Sequence, residues 1–353
     1  MNYPALKVNL DKLESNTRLL VEKCAAMGIS VSAVTKVFCG MPEIAVAMVK
    51  GGANYLADSR IENLKKMQCL DIPKMLLRIP MLSQVEEVVE YADISLNSEY
   101  EVMKALSNEA IKRGKVHQII LMVDLGDLRE GVWVDEAMDY ADKIMELEGI
   151  KLIGIGTNLT CYGAVIPNEG NLSKLVEIAD SIEKKHNIKL SIISGGNSSS
   201  VYLVGKGAIP KGINNLRLGE SIVLGNETAY GGRIAGTYND CFTLCAEIIE
   251  LKEKPSIPIG EIGVDAFGNK PTFVDRGVRK RAILAIGKQD VNVEGLTPID
   301  ENIIILGASS DHMIVDINDC KKEYGIGNII EFTLDYGALL SASTSDYVKK
   351  IIE

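Results

Sequence analysis

The sequence predicts an α/β fold: a (β/α)8 TIM-type barrel followed by a second, all-β C-terminal domain. Two observations predict the barrel. Apolar runs recur at 31–36, 53–58, 74–79, 92–96, 116–123, 151–156, 189–194 and 214–218, and helical segments at 42–50, 60–68, 83–91, 98–113, 134–147 and 171–186 separate most of them. Strands apolar on both faces that alternate with amphipathic helices make a parallel sheet covered by helices. Eight such units close into a barrel. An open doubly wound sheet is the alternative, but no G-x-G-x-x-G follows the first strand. The third observation is a change of texture near residue 236, where helical periodicity fades and short strand-like runs with turn signals take over.

The elements follow in order. Leu6, Val8 and Leu10 alternate with polar residues as a short strand. Asp11 is the expected cap of the first helix, with Glu14 completing a capping box and Leu13, Leu20, Val21 and Cys24 forming its apolar stripe. Beyond the barrel, strands are expected at 244–251, 272–274, 281–286, 303–306, 313–317 and 329–334. The domains are therefore 1–10, an N-terminal strand packing with the β domain; 11–235, the barrel; and 236–353, the β domain.

Composition narrows the function. The 353 residues are 46% hydrophobic and 24% charged, with a net charge of −10 and basic residues that do not cluster. That argues against nucleic acid and anionic membranes as partners. The start, MNYPALKVNL, lacks the basic and apolar regions of a signal peptide. No apolar run approaches the roughly 18 residues of a membrane span. Seven scattered cysteines without a Cys-x-x-Cys fit reduced thiols in a cytoplasm. His117, His186 and His312 have no metal-type spacing, so no metal site is expected.

Chemistry gathers where barrel strands end. Lys36 ends the first barrel strand. A lone strand-end lysine is usually a surface cation. One depressed in pKa by burial is instead a nucleophilic amine suited to a Schiff base. Strand seven runs into Ser194-Gly195-Gly196-Asn197-Ser198-Ser199-Ser200, and strand eight into Arg217-Leu218-Gly219-Glu220-Ser221. Either stretch alone reads as a turn with a helix cap. Together, after the seventh and eighth strands, they read as a phosphate site. A phosphate and an imine-forming lysine on one barrel face point to pyridoxal 5′-phosphate. Arg217 refines this, because an arginine opposite the pyridine nitrogen does not give up a proton as an acid would; its plainer reading is an ion pair with Glu220. Arg129, in Val123-Asp124-Leu125-Gly126-Asp127-Leu128-Arg129, is suited to a substrate carboxylate, or else pairs with Asp127.

Lys36, Val123-Asp124-x-Gly126-x-x-Arg129, Asn197-Ser198, Arg217-x-Gly219 and Asp335-Tyr336 together resemble the alanine racemase family over nearly the whole chain. The longer runs MLLRIPML, VDLGDLREG, NLTCYGAVIP, SGGNSSS, GEIGVDAFGNKP, RKRAILAIG and LGASSDH are similar to its bacterial ornithine racemase branch. The resemblance implies that Lys36 carries the cofactor and is the base on one face of Cα. It implies that Asn197, Ser198, Gly219, Glu220 and Tyr336 surround the phosphate, that Arg217 faces the pyridine nitrogen, and that Arg129 helps seat the carboxylate. It also implies a head-to-tail homodimer in which each β domain completes the partner's site.

Departures from the family pattern bear on the second proton handler. Asp265-Ala266-Phe267-Gly268 stands where the family has a catalytic tyrosine, Asn158 where a histidine lies under the ring, Gly40 where a tyrosine follows the lysine, Met122 where a lysine is carried as a carbamate, and Ser310 where a methionine closes the alanine pocket. Asp265, His312, Cys161 and Tyr162 are the candidates for the second base. Asp265 needs an upshifted pKa to serve as an acid; it is otherwise a turn carboxylate or, with Asp311, a partner for a distal ammonium. An acidic pocket suits a diamino acid substrate such as ornithine. Racemases of alanine or of broad specificity, a basic amino acid decarboxylase and a non-catalytic cofactor carrier are the competing readings.

Overall fold

A computed structural model describes residues 2–265 and 267–353. Two compact units are present, residues 10–239 and residues 1–9 with 240–353. After β1 (Ala5–Val8) and α1 (Leu10–Ala25), the chain alternates β2 (Ser30–Val34), α2 (Pro42–Lys50), β3 (Tyr55–Asp58), α3 (Ile61–Lys66), β4 (Lys74–Leu76), α4 (Val85–Tyr91), β5 (Ile94–Asn97), α5 (Tyr100–Lys112), β6 (His117–Asp124), the two-residue β7 (Val132–Trp133), α6 (Ala137–Met145), β8 (Ile150–Gly156), α7 (Glu169–His186), β9 (Ile192–Ser194), α8 (Val201–Lys206), β10 (Asn215–Leu218) and α9 (Glu220–Val223).

β2, β3, β4, β5, β6, β8, β9 and β10 pair in that order, and β10 returns to β2, so the sheet closes. Every barrel pairing is parallel. This is the expected (β/α)8 barrel. Its interior is filled by Val34, Ala57, Met75, Ile94, Leu96, Ile120, Met122, Ile153 and Ile192. Burying each large aliphatic side chain contributes about 1.5–3 kcal/mol. Because all the strands run the same way, the residues that follow them share one rim.

Two local expectations change. The first barrel strand ends at Val34, and Lys36 instead opens a single 3-10 turn, Lys36–Phe38. α1 starts one residue early, so Asp11 lies inside its first turn. There it acts on the helix dipole rather than as the cap.

The other unit holds β11 (Phe242–Pro255), β12 (Val278–Leu284), β13 (Leu296–Pro298), β14 (Ile304–Ala308), β15 (Met313–Asp316), β16 (Ile329–Leu334), α10 (Tyr336–Thr344) and β17 (Lys349–Ile352). The path β13-β16-β11-β12-β15-β14 is antiparallel throughout. β1 joins it, antiparallel to β11 and parallel to β17. Phe242, Leu244 and Phe332 are fully buried in this unit. The run 272–274 forms no strand. It lies in the connection between β11 and β12, with Phe273 45% and Val274 68% exposed. α10 interrupts the all-β pattern, begun by Asp335, whose Oδ1 accepts the Ala338 amide at 2.7 Å.

Candidate active site

The Lys36 turn is fixed from beneath. Thr35 donates its hydroxyl to Asp58 Oδ2 at 2.7 Å, and Asp58 Oδ1 also accepts from the Arg60 amide (2.9 Å) and Asn63 Nδ2 (3.0 Å). Burial raises the Asp58 pKa against these bonds. Gly40 closes the turn at φ +60°, where a Cβ would stand 2.6 Å from the Asn63 Cβ. A tyrosine is therefore sterically excluded at position 40, which accounts for that departure. Lys36 itself is exposed. The burial expected of it is not found in this chain on its own, because the strand stops two residues short.

The two glycine-rich turns meet. Ser198 Oγ lies 3.0 Å from Ser221 Oγ and accepts from the amides of Ser221 (3.1 Å) and Gly219 (3.3 Å). A Cβ at Gly219 would press within 3.2 Å of the Val34 Cβ, and Gly196 holds φ +108°. Asn197 caps the short turn Ser198–Ser200, accepting the Ser199 amide at 2.8 Å, and donates Nδ2 to Leu159 O at 2.8 Å. Glu220 opens α9. Ser221, the last residue of the strand-eight stretch read as a phosphate site, belongs to this cluster although the family resemblance does not include it.

Arg217 is buried at the end of β10. It donates Nη1 to Ser194 Oγ (2.5 Å) and Nη2 to the Thr157 carbonyl (2.7 Å). Among the described residues it has no carboxylate partner, so the suggested pair with Glu220 does not form. Burial lowers its pKa to about 10. The Thr157 hydroxyl is buried without a hydrogen-bond partner among the described residues.

Arg129 pairs with Glu130, through Nε and through Nη2 at 2.5 Å. That hydrogen bond raises its pKa further. The Asn158 amide lies against the same guanidinium, and with the amide turned so that its oxygen accepts, that oxygen is 3.2 Å from Nη1 and 2.7 Å from Nη2. The alternative Asp127 pairing is replaced because Asp127 is used elsewhere. Only 1% exposed, it accepts the amides of Cys161 (3.3 Å), Tyr162 (3.0 Å) and Val165 (3.1 Å). The structure thus gathers Arg129, Asn158, Asn197, Ser198, Arg217, Gly219 and Glu220 on the strand ends of one barrel, with Lys36 beyond β2.

Of the second-base candidates, Cys161 and Tyr162 are exposed in the barrel unit, and Asp265 and His312 belong to the other unit. Asp265 accepts the amides of Phe267 (2.9 Å) and Asn269 (2.8 Å). These bonds, Asn269 foremost, lower its pKa. An acid role requires the opposite shift, so the upshifted Asp265 is corrected to a turn carboxylate held ionised. His312 Nδ1 lies 2.9 Å from Asp311 Oδ1, in the loop between β14 and β15. His312 lowers the Asp311 pKa, and the Ser309 and Ser310 hydroxyls add to this by donating at 3.3 Å. Lys288 joins the two regions. Its amide donates to Ser309 O at 2.9 Å, and its Nζ stands 4.6 Å from the Phe267 ring centroid. Tyr336 is the first residue of α10.

Comparison with known proteins fits this arrangement. The family model for the alanine racemase N-terminal domain matches residues 8–227. An ornithine racemase of Acetoanaerobium sticklandii is 53% identical over 349 residues, covering 99% of each chain. A lysine racemase of Thermotoga maritima is 42% identical over 355 residues, covering 100% of this chain and 99% of its own. The alanine racemase of Bartonella henselae, solved with covalently bound pyridoxal phosphate, shares the fold with a TM-score of 0.75 at 16% identity and full coverage of both chains. The chain belongs to the alanine racemase family.

Proposed function

We propose that this protein is a pyridoxal 5′-phosphate-dependent racemase that interconverts L- and D-ornithine. The observation that carries the reading is Arg217, a buried cation at the barrel rim with only neutral partners. The residues fit the cofactor in two further ways: the Gly219 and Ser221 amides converge on Ser198 with Gly219 packed against Val34, and Thr157 keeps a buried hydroxyl without a partner among the described residues. Ornithine is supported by 53% identity along nearly the full length of an ornithine racemase.

Bound pyridoxal phosphate would supply the electron withdrawal that makes the substrate's α-proton acidic. The chain supplies the rest. Lys36 moves the proton on one face of Cα. Asn197, Ser198, Gly219, Glu220 and Tyr336 would hold the phosphate, and Arg217 would offer the pyridine nitrogen a donor that keeps its own proton. Arg129, oriented by Glu130 and Asn158, seats the carboxylate. For the opposite face we assign His312, supplied in the proposed homodimer by the β domain of the partner subunit, because a base oriented by a neighbouring carboxylate is the arrangement proton transfer uses. Asp265, held ionised, then fits the distal ammonium, with Ser310 and Asp311 beside His312.

A head-to-tail homodimer and a cytoplasmic location belong to the same proposal. The homodimer is supported by the apolar side chains exposed between β11 and β12, among them Ile259 (93%), Val264 (71%) and Val274 (68%), a concentration that fits a covered surface.

Incubation of the reconstituted protein with L-ornithine, L-lysine, L-arginine, L-alanine and L-serine tests the function. Chiral chromatography should show D-ornithine forming fastest, with lysine, one methylene longer, about tenfold or more behind. Loss of carbon dioxide in place of inversion, or inversion confined to alanine, contradicts it. In deuterated water His312→Gln should slow α-proton exchange from one enantiomer by on the order of 100-fold while leaving the other nearly unchanged. Equal exchange from both enantiomers removes His312 from the reaction.

A further inference from the structure

Barrel interiors are normally filled with branched aliphatic side chains, yet a line of polar side chains crosses this one. Arg217 Nη1 donates to Ser194 Oγ at 2.5 Å. Ser194 Oγ donates to Asn215 Oδ1 at 2.7 Å. Asn215 Nδ2 donates to Ser32 Oγ at 3.0 Å and Ser30 Oγ at 3.1 Å. Ser32, Ser194 and Asn215 are fully buried, and Arg217 is 4% exposed.

The donor inventory gives the line one direction. A serine hydroxyl has a single hydrogen. Ser194 spends its hydrogen on Asn215 and so meets Arg217 with a lone pair. The two seryl oxygens take the Asn215 NH2 group, which turns Oδ1 toward Ser194. Every acceptor in the line is neutral. The line itself therefore brings no counter-charge to the guanidinium, on which Glu130 acts only through space and against Arg129, and a buried network of this kind is most stable when each member is satisfied.

We propose that Ser194 and Asn215 are positioning residues that fix the Arg217 guanidinium at the strand ends while keeping it cationic. The inference rests on the proposed function in that Arg217 is taken to face the cofactor's ring nitrogen. It goes beyond it in assigning the setting of that contact to two residues that touch neither cofactor nor substrate. An aliphatic residue at 215 would pack the barrel but leave Ser194 free to rotate. An aspartate there would place a carboxylate one hydroxyl away from Arg217.

The test uses Ser194→Ala, Asn215→Leu and Asn215→Asp in the full-length protein. Pyridoxal phosphate affinity is measured by fluorescence titration, and the visible spectrum of the bound cofactor is followed against pH. Ser194→Ala and Asn215→Leu should weaken cofactor binding on the order of tenfold, the scale of a lost bond to a charged group. Asn215→Asp should shift the pH at which the bound cofactor's spectrum changes, which a purely structural role would not do. Spectra and affinities that superpose on wild type in folded variants overturn the proposal. If wild-type protein fails to bind pyridoxal phosphate, the functional reading fails instead. The relay is then judged from crystal structures of wild type and Ser194→Ala: a displaced Arg217 guanidinium supports it, and an unmoved one overturns it.

Discussion

His117 opens β6 with its imidazole buried, and its Nε2 lies 2.8 Å from Ser95 Oγ. Burial pushes its pKa from the ordinary 6.5 to about 4. The folded state holds this group neutral, so between those values the unfolded chain binds more protons. The stability that neutral His117 provides is complete above pH 6.5 and is lost as pH falls toward 4. A tenfold change in proton affinity is worth about 1.4 kcal/mol, so the loss is at most roughly 3 kcal/mol. Urea denaturation of His117→Gln across that range should show a flatter acid branch than wild type; parallel branches contradict the account. Residues differ in how much of their role a sequence carries. Lys36 and Arg217 were legible because they stand at the ends of apolar runs next to glycine-rich turns. The exposure of Lys36 was not, since it depends on the strand stopping at Val34. Nor was the partner of Arg129: Asp127 and Glu130 are both near in sequence, and the choice is made by three amides from a loop more than thirty residues away.

That loop is the clearest case at the scale of an element. One buried carboxylate, Asp127, binds it by three amides, and Gly163 donates to the Asp127 carbonyl at 3.0 Å. Leu128, Thr160 and Ala164 all take φ between 54° and 57°. Such conformations persist only where the surroundings enforce them. Asp127→Ala should release the loop, lower the melting temperature by several degrees for a cost of about 2 kcal/mol, and raise the alkylation rate of the exposed Cys161 several-fold, read by peptide mass mapping. An unchanged Cys161 rate would show that Asp127 does not hold the loop. Strands were legible as apolar runs because a covered parallel sheet admits little else. The run 272–274 misled because Phe273 and Val274 are apolar yet exposed, between strands rather than within one. α10 was missed because Asp335-Tyr336 drew attention as a motif, while the cap Asp335 provides is visible only in its bond to Ala338.

At the scale of the whole molecule, the closed barrel and the antiparallel unit joined by β1 reproduce the architecture that the change of texture near residue 236 predicts. The chain crosses from α/β to β grammar there because the barrel is complete: β10 has already paired with β2. The sequence could not reveal that β17 returns beside β1, since Lys349–Ile352 is too short to signal a strand by pattern. Nor could it rank Asp265 against His312. The local bonding that separates them is visible only in the structure, where the Asp265 carboxylate is taken up by its own turn and Asp311 lies against His312. The central claim is that the amine beyond β2 serves the donors beyond β9 and β10. Borohydride reduction of the protein loaded with pyridoxal phosphate, followed by proteolysis and mass mapping, tests it most directly. The account predicts a single phosphopyridoxyl adduct on Lys36, absent from Lys36→Ala; an adduct confined to any other lysine would contradict it.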